Sequence, residues 1–386
     1  MKTVPLGDHV EILSGFAFKS ERFNNDGRGL PLVRIRDVKP ATSQTYYDGE
    51  YDRRFLLSDG DLLVGMDGEF NCARWAGGNA LLNQRVCRVR AVSKFLYEQY
   101  LFWFLPKALK DIEQKSNFVT VKHLSAKQIN EIEIPLPPME EQKRIAAILD
   151  QADELRRKRQ RALDRLNQLG QAIFIEMFGR VGSPRDGSRI TPLDEICDLV
   201  RGSSPRPQGD PRFFGGPIPR LMIADISRDG MIVTPRIDSL TEEGATKSRP
   251  MPAGSVVMAV SGAVGLPAIL AVDACIHDGF VGFRDLRKCV LPDFFYWYLV
   301  VNREANRAQG AGAIWVNLTT EQVKRFAVPV PKFESQLEFA SRMRVVLGQS
   351  EHSRAALQVS ERLFTSLQHR AFRGELTASS LNEAAV

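Results

Sequence analysis

Between Met139 and Phe178 the chain holds no proline and one glycine, and apolar or small residues return at Ile145, Ile148, Ala152, Leu155, Ala162, Leu166, Leu169 and Ile173. Steps of three and four, interrupted only at Arg159, are the heptad pattern of a helix with one buried seam. Such a helix extends about 60 Å at about 1.5 Å per residue, more than one globular domain needs. A second stretch, Phe333 to Phe372, carries a looser seam through Phe339, Met343, Val346, Ser350, Ser353, Leu357, Ser360, Phe364 and Leu367. Its serines weaken an isolated coil but let a partner helix come close. The two stretches are therefore expected to pair with each other as an antiparallel coiled coil.

Upstream of each helix the pattern is different and occurs twice. Short β-rich runs punctuated by Gly, Asp and Pro ("LPLVRIRDV", "DLLVGM", "RVCRVRAV") lead to an aromatic helix, "LYEQYLFWFLPKAL", then a polar loop and a last strand. "VPLGDHVEILSGF" from Val4 matches "TPLDEICDLVRGS" from Thr191, with Leu6 over Leu193 and Gly15 over Gly202. From "DGDLLVGMDG" at 59 against "AGSVVMAVSG" at 253 the offset is 194 and stays there: Trp103 lies over Trp297, and "VKHLSAKQI" at 121 over "WVNLTTEQV" at 315. A period this long belongs to a duplicated domain, not a solenoid. The expected fold class is α+β: two duplicated mixed α/β domains separated by two long helices. The expected boundaries are 1–138, helix 139–180, 181–332, helix 333–375 and a flexible tail 376–386.

The junction between strand and helix is also written twice. "IEIPLPPMEEQ" at 132 and "FAVPVPKFESQ" at 326 place Pro135 over Pro329, Pro137 over Pro331 and Gln142 over Gln336. Pro135 and Pro329 cannot donate to a β-ladder and mark a strand edge or end. Pro137 and Pro138 suit the first helical turn, and Glu140 and Glu141 the positive end of the helix dipole. A strand that passes into a long helix through repeated prolines predicts a stiff joint.

Composition changes this picture little. The net charge of +6 and pI near 9.1 suit a polyanionic partner. Five cysteines (Cys72, Cys87, Cys197, Cys275, Cys289) without CxxC spacing suggest neither a disulfide framework nor a zinc site, and fit a reducing cytoplasm. The stretch "GSVVMAVSGAVGLPAILAV", 254–272, has no charge, but its Gly and Pro content, and its charged counterpart at 60–78, predict two buried strands and a turn.

No phosphate loop, G-x-G-x-x-G, H-E-x-x-H or [ND]-P-P-[YFW] motif is present. Asp59 and Asp61 align with Ala253 and Ser255, which points to a turn and not to a shared metal site. What remains is polar and basic. Arg34, Arg36 and Lys39, near the end of a predicted strand, and Asn83, Gln84 and Arg85 are types that read base edges or grip phosphate; Lys19 joins them. In the second copy the candidates are Ser203, Ser204, Arg206, Arg220, Lys247, Arg249 and Asn317. "RRKRQR" at 156 reads equally as a solvated coil face or as a contact to phosphate or an acidic partner.

The order of domain, long helix, domain, long helix, with "IPLPPMEEQKRIAAILD" at the first junction, "VPVPKFESQ" at the second, and "SGFAFKS" and "LSAKQINEIEIP" beside them, resembles the specificity subunit of type I restriction-modification systems over essentially the whole chain. The resemblance implies a non-catalytic DNA-recognition subunit whose two target-recognition domains each read half of a bipartite site. It implies a coiled coil, with Ile145, Ile148, Leu155, Leu166, Leu169, Phe339, Val346, Leu357, Phe364 and Leu367 as its contacts, that sets the spacer and docks two adenine methyltransferase subunits. S-adenosylmethionine, ATP and Mg are expected in the partner methyltransferase and restriction/translocase subunits, and no cofactor or metal in this chain.

Overall fold

The computed structural model describes residues 2–115, 123–180, 183–185, 188–308 and 317–376. Leu376, the first residue of the expected flexible tail 376–386, is instead buried in the first unit's core; the rest of that tail, and the first two residues of the aligned segments at 121 and 315, lie outside the described residues. The chain divides into two compact units, residues 1–159 with 356–386 and residues 160–355.

The first unit is built on an antiparallel four-stranded sheet ordered Val10–Ser14, Val86–Ala91, Leu62–Gly65, Cys72–Arg74. Beside it lies a five-stranded sheet with one parallel pairing, Leu32–Val33 on Leu81–Leu82. The aromatic helix α1, Glu98–Lys115, buries Tyr100, Leu101, Phe104 and Leu105 against Leu62, Val64, Cys87 and Val89. The chain then enters helix α2, Met139–Phe178.

The second unit repeats this plan: Asp198–Arg201, Phe280–Arg284, Val256–Ala259, Pro267–Leu270, with an added edge strand Ile232–Val233. That extra strand lies in the region where the second copy gains residues. The parallel pairing recurs as Arg220–Leu221 on Cys275–Ile276. Val256–Ala259 and Pro267–Leu270 are wholly buried, the two strands expected of the uncharged stretch. Among the described residues no helix is long and apolar enough to cross a membrane. The second aromatic helix, α3, Pro292–Val301, packs on this sheet, and α4 runs from Phe333 to Phe372.

Each unit contains the start of one long helix and the end of the other. In the first, Ile145 and Leu149 of α2 share a core with Phe364 and Ala371 of α4. In the second, Phe174 and Phe178 of α2 share one with Phe339 and Met343 of α4. Within each unit the pairing is antiparallel, as expected of two helices each rooted in its own domain.

The α4 seam falls where expected: Phe339, Met343, Val346, Leu357, Ser360 and Phe364 are buried and Leu367 partly so. The α2 seam needs correction at alternate positions. Ile145 and Leu166 face the core, but Leu155 is 40% and Leu169 47% exposed, and Ile148 is only half-buried. One residue further on lie the residues turned inward, Leu149, Arg156, Leu163 and Gly170. Arg156 belongs there because its guanidinium sits over the Phe364 ring, 4.7 Å from the centroid, and pairs with buried Asp153. Arg159 does not interrupt the seam either; it donates to the Ala356 carbonyl and the Ser360 hydroxyl. The basic run is thus largely occupied within the chain, Arg157 also meeting Asp153 (2.6 Å) and Lys158 meeting Glu154 (2.8 Å).

The proline joint is held by one side chain in each copy. Gln142 is fully buried; its Oε1 accepts from Tyr97 N–H (2.8 Å), and its Nε2 donates to the carbonyls of Phe95 (2.7 Å) and Pro137 (2.8 Å). Gln336 repeats all three bonds, with Leu291 N–H (2.9 Å), Cys289 (2.7 Å) and Pro331 (3.0 Å). Each glutamine therefore ties its long helix to the loop before the aromatic helix. Pro137 and Pro138 precede the first turn instead of forming it, Pro138 accepting from the N–H groups of Glu141 and Gln142. Pro135 ends its short strand, Glu133–Pro135, as expected.

Candidate nucleic-acid interface

Arg34 and Arg36 do not extend a strand. The strand stops at Val33 and a single helical turn, Ile35–Val38, follows. The cause is Asp37, whose Oδ2 accepts from Arg34 N–H (2.9 Å) and caps the turn. Asp225 does the same for Met222 N–H (3.0 Å) in the second copy. The aspartate shared by the two copies is thus a frame residue, while the neighbouring Arg34 and Arg36 become Met222 and Ala224.

That turn and the segment 83–85 enclose a cavity of about 300 Å³ lined by Phe23, Arg34, Arg36, Asn83, Gln84 and Arg85. Five of the sequence candidates meet here. Arg85 has φ of +69° and pairs with Asp67 (3.0 Å), whose other oxygen meets His123 Nδ1 (2.6 Å). Arg36 donates to Thr45 Oγ1 (3.2 Å). Lys39 is not part of this group: it lines a different groove with Asp150, Asp153 and Arg157. Lys19 is exposed, ahead of a short turn, Ser20–Arg22, and does not line the cavity.

In the second unit Ser204, Arg206 and Arg220 converge on residues that the sequence reading did not single out. Ser204 Oγ donates to Asp278 Oδ1 (2.8 Å), Arg206 reaches Asp278 Oδ2 (3.3 Å), and buried Arg220 donates to Ser204 (2.9 Å) and pairs with Asp238. The Ser204 hydroxyl, with His277 and Arg206 adding to it, holds the Asp278 carboxyl below the usual carboxylate range. Burial, aided by Arg220, pushes the His277 imidazole below its ordinary value. Ser203 donates to the Lys247 carbonyl (3.0 Å), Lys247 Nζ sits 3.8 Å over the Phe213 ring, and Arg249 donates to the Arg201 carbonyl (3.2 Å). Asn317 is exposed. His277 and Asp278 were legible in principle, since the offset of 194 places them on Asn83 and Gln84.

Two glycines make that equivalence structural. A Cβ on Gly15 would strike the Asn83 carbonyl, and one on Gly202 the His277 carbonyl. Only glycine lets the backbone approach so closely. Asp59 and Asp61 serve turns, as expected: Asp59 accepts from Gly78 N–H (2.7 Å), and Asp61 from Ser58 N–H (2.9 Å) and Arg90. Among the described residues no group of three or more His, Cys, Asp or Glu is placed to hold a metal.

One frame built twice, joined to paired long helices and carrying different polar residues at matching places, defines a class: a duplicated recognition subunit with a constant scaffold and variable reading surfaces. The family model for the type I restriction modification DNA specificity domain matches residues 1–165 and 187–358. The chain belongs to that family, the DNA-recognition subunits of type I restriction-modification systems. It is 29% identical to the specificity subunit of the type I restriction enzyme EcoBI of Escherichia coli, over 96% of this chain and 85% of the relative. It is 20% identical to the MjaVIII specificity subunit of Methanocaldococcus jannaschii, over 99% and 94%. Its fold is similar to the crystal structure of a type I S subunit from M. genitalium, with a TM-score of 0.52, 14% identity and 96% of each chain covered.

Proposed function

We propose that each globular domain reads one half of a bipartite duplex site, that the coiled coil sets the spacer, and that the chain itself carries no catalysis. The observation that supports this most is the division between what the copies share and what they do not. Gly15 and Gly202, Asp37 and Asp225, and Gln142 and Gln336 repeat their contacts, whereas the polar residues around Asn83 and His277 differ. Divergent surfaces on one frame suit two different half-sites.

Two methyltransferase subunits dock on the helices in this reading. Apolar side chains left exposed there support it: Leu155, Val359 and Leu363 in the first unit, Leu169, Leu337 and Val345 in the second. Those partners, with the restriction/translocase subunits, supply S-adenosylmethionine, ATP and Mg, and the assembly works in the cytoplasm. Footprinting of the complex with its methyltransferase is expected to show two protected patches with a fixed gap. One contiguous, sequence-indifferent footprint refutes the reading, and methyl transfer by the purified chain alone refutes its non-catalytic part.

A further inference from the structure

We infer that the equivalent positions Asn83 and His277 are the base-discriminating contacts of the two domains, Asn83 taking the amino-bearing edge of an adenine and His277 an acceptor edge. This rests on the reading that the domains bind DNA.

The two residues occupy one place in the frame, each with its carbonyl under the shared glycine. Asn83 lines the first unit's cavity with only 6% of its surface exposed, and its Oδ1 has no hydrogen-bond partner among the described residues. A buried acceptor left unpaired is costly, so the cavity is built for a donor. A phosphate offers only acceptors and cannot supply one. An exocyclic base amine can, and an asparagine amide matches adenine with both of its atoms, accepting from N6 and donating to N7. Arg34, Arg36 and Arg85 around the cavity attract the backbone that carries the base.

His277 presents the opposite polarity. Gly279 N–H donates to its Nδ1 (2.9 Å), so the neutral ring carries its proton on Nε2, and that nitrogen is a donor. The ring is fixed edge-on against Phe280, with centroids 4.8 Å apart. A donor there suits guanine O6 or N7 or thymine O4. The frame is thus constant, and one side chain per copy changes the hydrogen-bond polarity presented.

The test uses the complex of this chain with its methyltransferase subunits, mapping methylated adenines on a randomised target library for the parent, Asn83→Ala, Asn83→Asp and His277→Asn. Asn83→Ala is expected to lose roughly tenfold to hundredfold of the discrimination at one position of one half-site. Asn83→Asp, nearly isosteric, retains the acceptor but not the donor and is expected to shift that position from adenine toward cytosine. His277→Asn should alter one position of the other half-site only, with the spacer unchanged in every variant. An unchanged site, or a uniform loss across all sequences, in variants that melt with the parent overturns the assignment. A parent complex that methylates no two-part site overturns the underlying DNA-reading proposal instead.

Discussion

Replacing Gln142 by leucine isolates the joint between the first domain and α2. The side chain is fully buried and makes three hydrogen bonds of 2.7–2.8 Å. Its loss strands one N–H, that of Tyr97, and two carbonyls, those of Phe95 and Pro137. An unsatisfied buried group costs about 1–3 kcal/mol; the bond to Pro137 is buried and those to Tyr97 and Phe95 only partly so, and water meets part of their loss, so the net cost is about 2 kcal/mol. That is a large fraction of a domain stability of about 5–15 kcal/mol. With a urea slope of about 2 kcal/mol/M the first unit's midpoint falls by about 1 M. Urea unfolding followed by tryptophan emission reads this, since Trp103 belongs to the same core, and the Tyr97 amide should lose its protection from hydrogen exchange. Gln151→Leu, at an exposed position on the same helix, is the control. If Gln142→Leu moves the midpoint no more than Gln151→Leu does, the glutamine does not hold the joint.

Gly170 and Gly348, both inside long helices, should respond oppositely to alanine. A Cβ at Gly170 runs into the Trp297 ring and lies 2.9 Å from Met343 Cε, whereas Gly348 has nothing within 4 Å; thermal melting is expected to show a loss of about 1–2 kcal/mol for the first and a gain of about 1 kcal/mol for the second. Ser204→Ala should raise the Asp278 pKa toward its ordinary 3.8, read by NMR titration. Because the folded value is depressed, the stabilisation is present above 3.8 and disappears as pH falls through the folded value, so the variant's stability deficit should be larger at pH 6 than at pH 3. Thiol labelling of the native chain should modify exposed Cys289 first, while Cys87 and Cys197, pushed up to about 12 by burial, resist.

The misplaced half of the α2 seam shows why pattern reading stopped where it did. Leu155 and Leu169 are the apolar choices, and the residues that face the partner there are Arg156 and Gly170. A cation enters a seam when the opposing helix offers an aromatic face, and a glycine when a neighbouring ring needs the room. Neither condition is visible in one helix alone. Trp103 and Trp297 make the same point: Trp103 donates to Asp150 (2.9 Å), but the position matching Asp150 is Arg344, and Trp297 Nε1 has no partner among the described residues. By contrast the short turn after Val33 had a readable signal, an acid three residues past its cap, present in both copies.

Duplication, the two forty-residue helices and the places of the repeated proline junctions were determined by sequence alone. They rest on periodicity, on local capping and proline chemistry, and on a constant offset, all of which act between near neighbours or by direct comparison of the copies. Tertiary structure decided which helix face is buried and that Asn83 and His277 lie under Gly15 and Gly202. Those contacts join segments some seventy residues apart through close backbone approach, and no local preference encodes a meeting that depends on how two sheets close around one core.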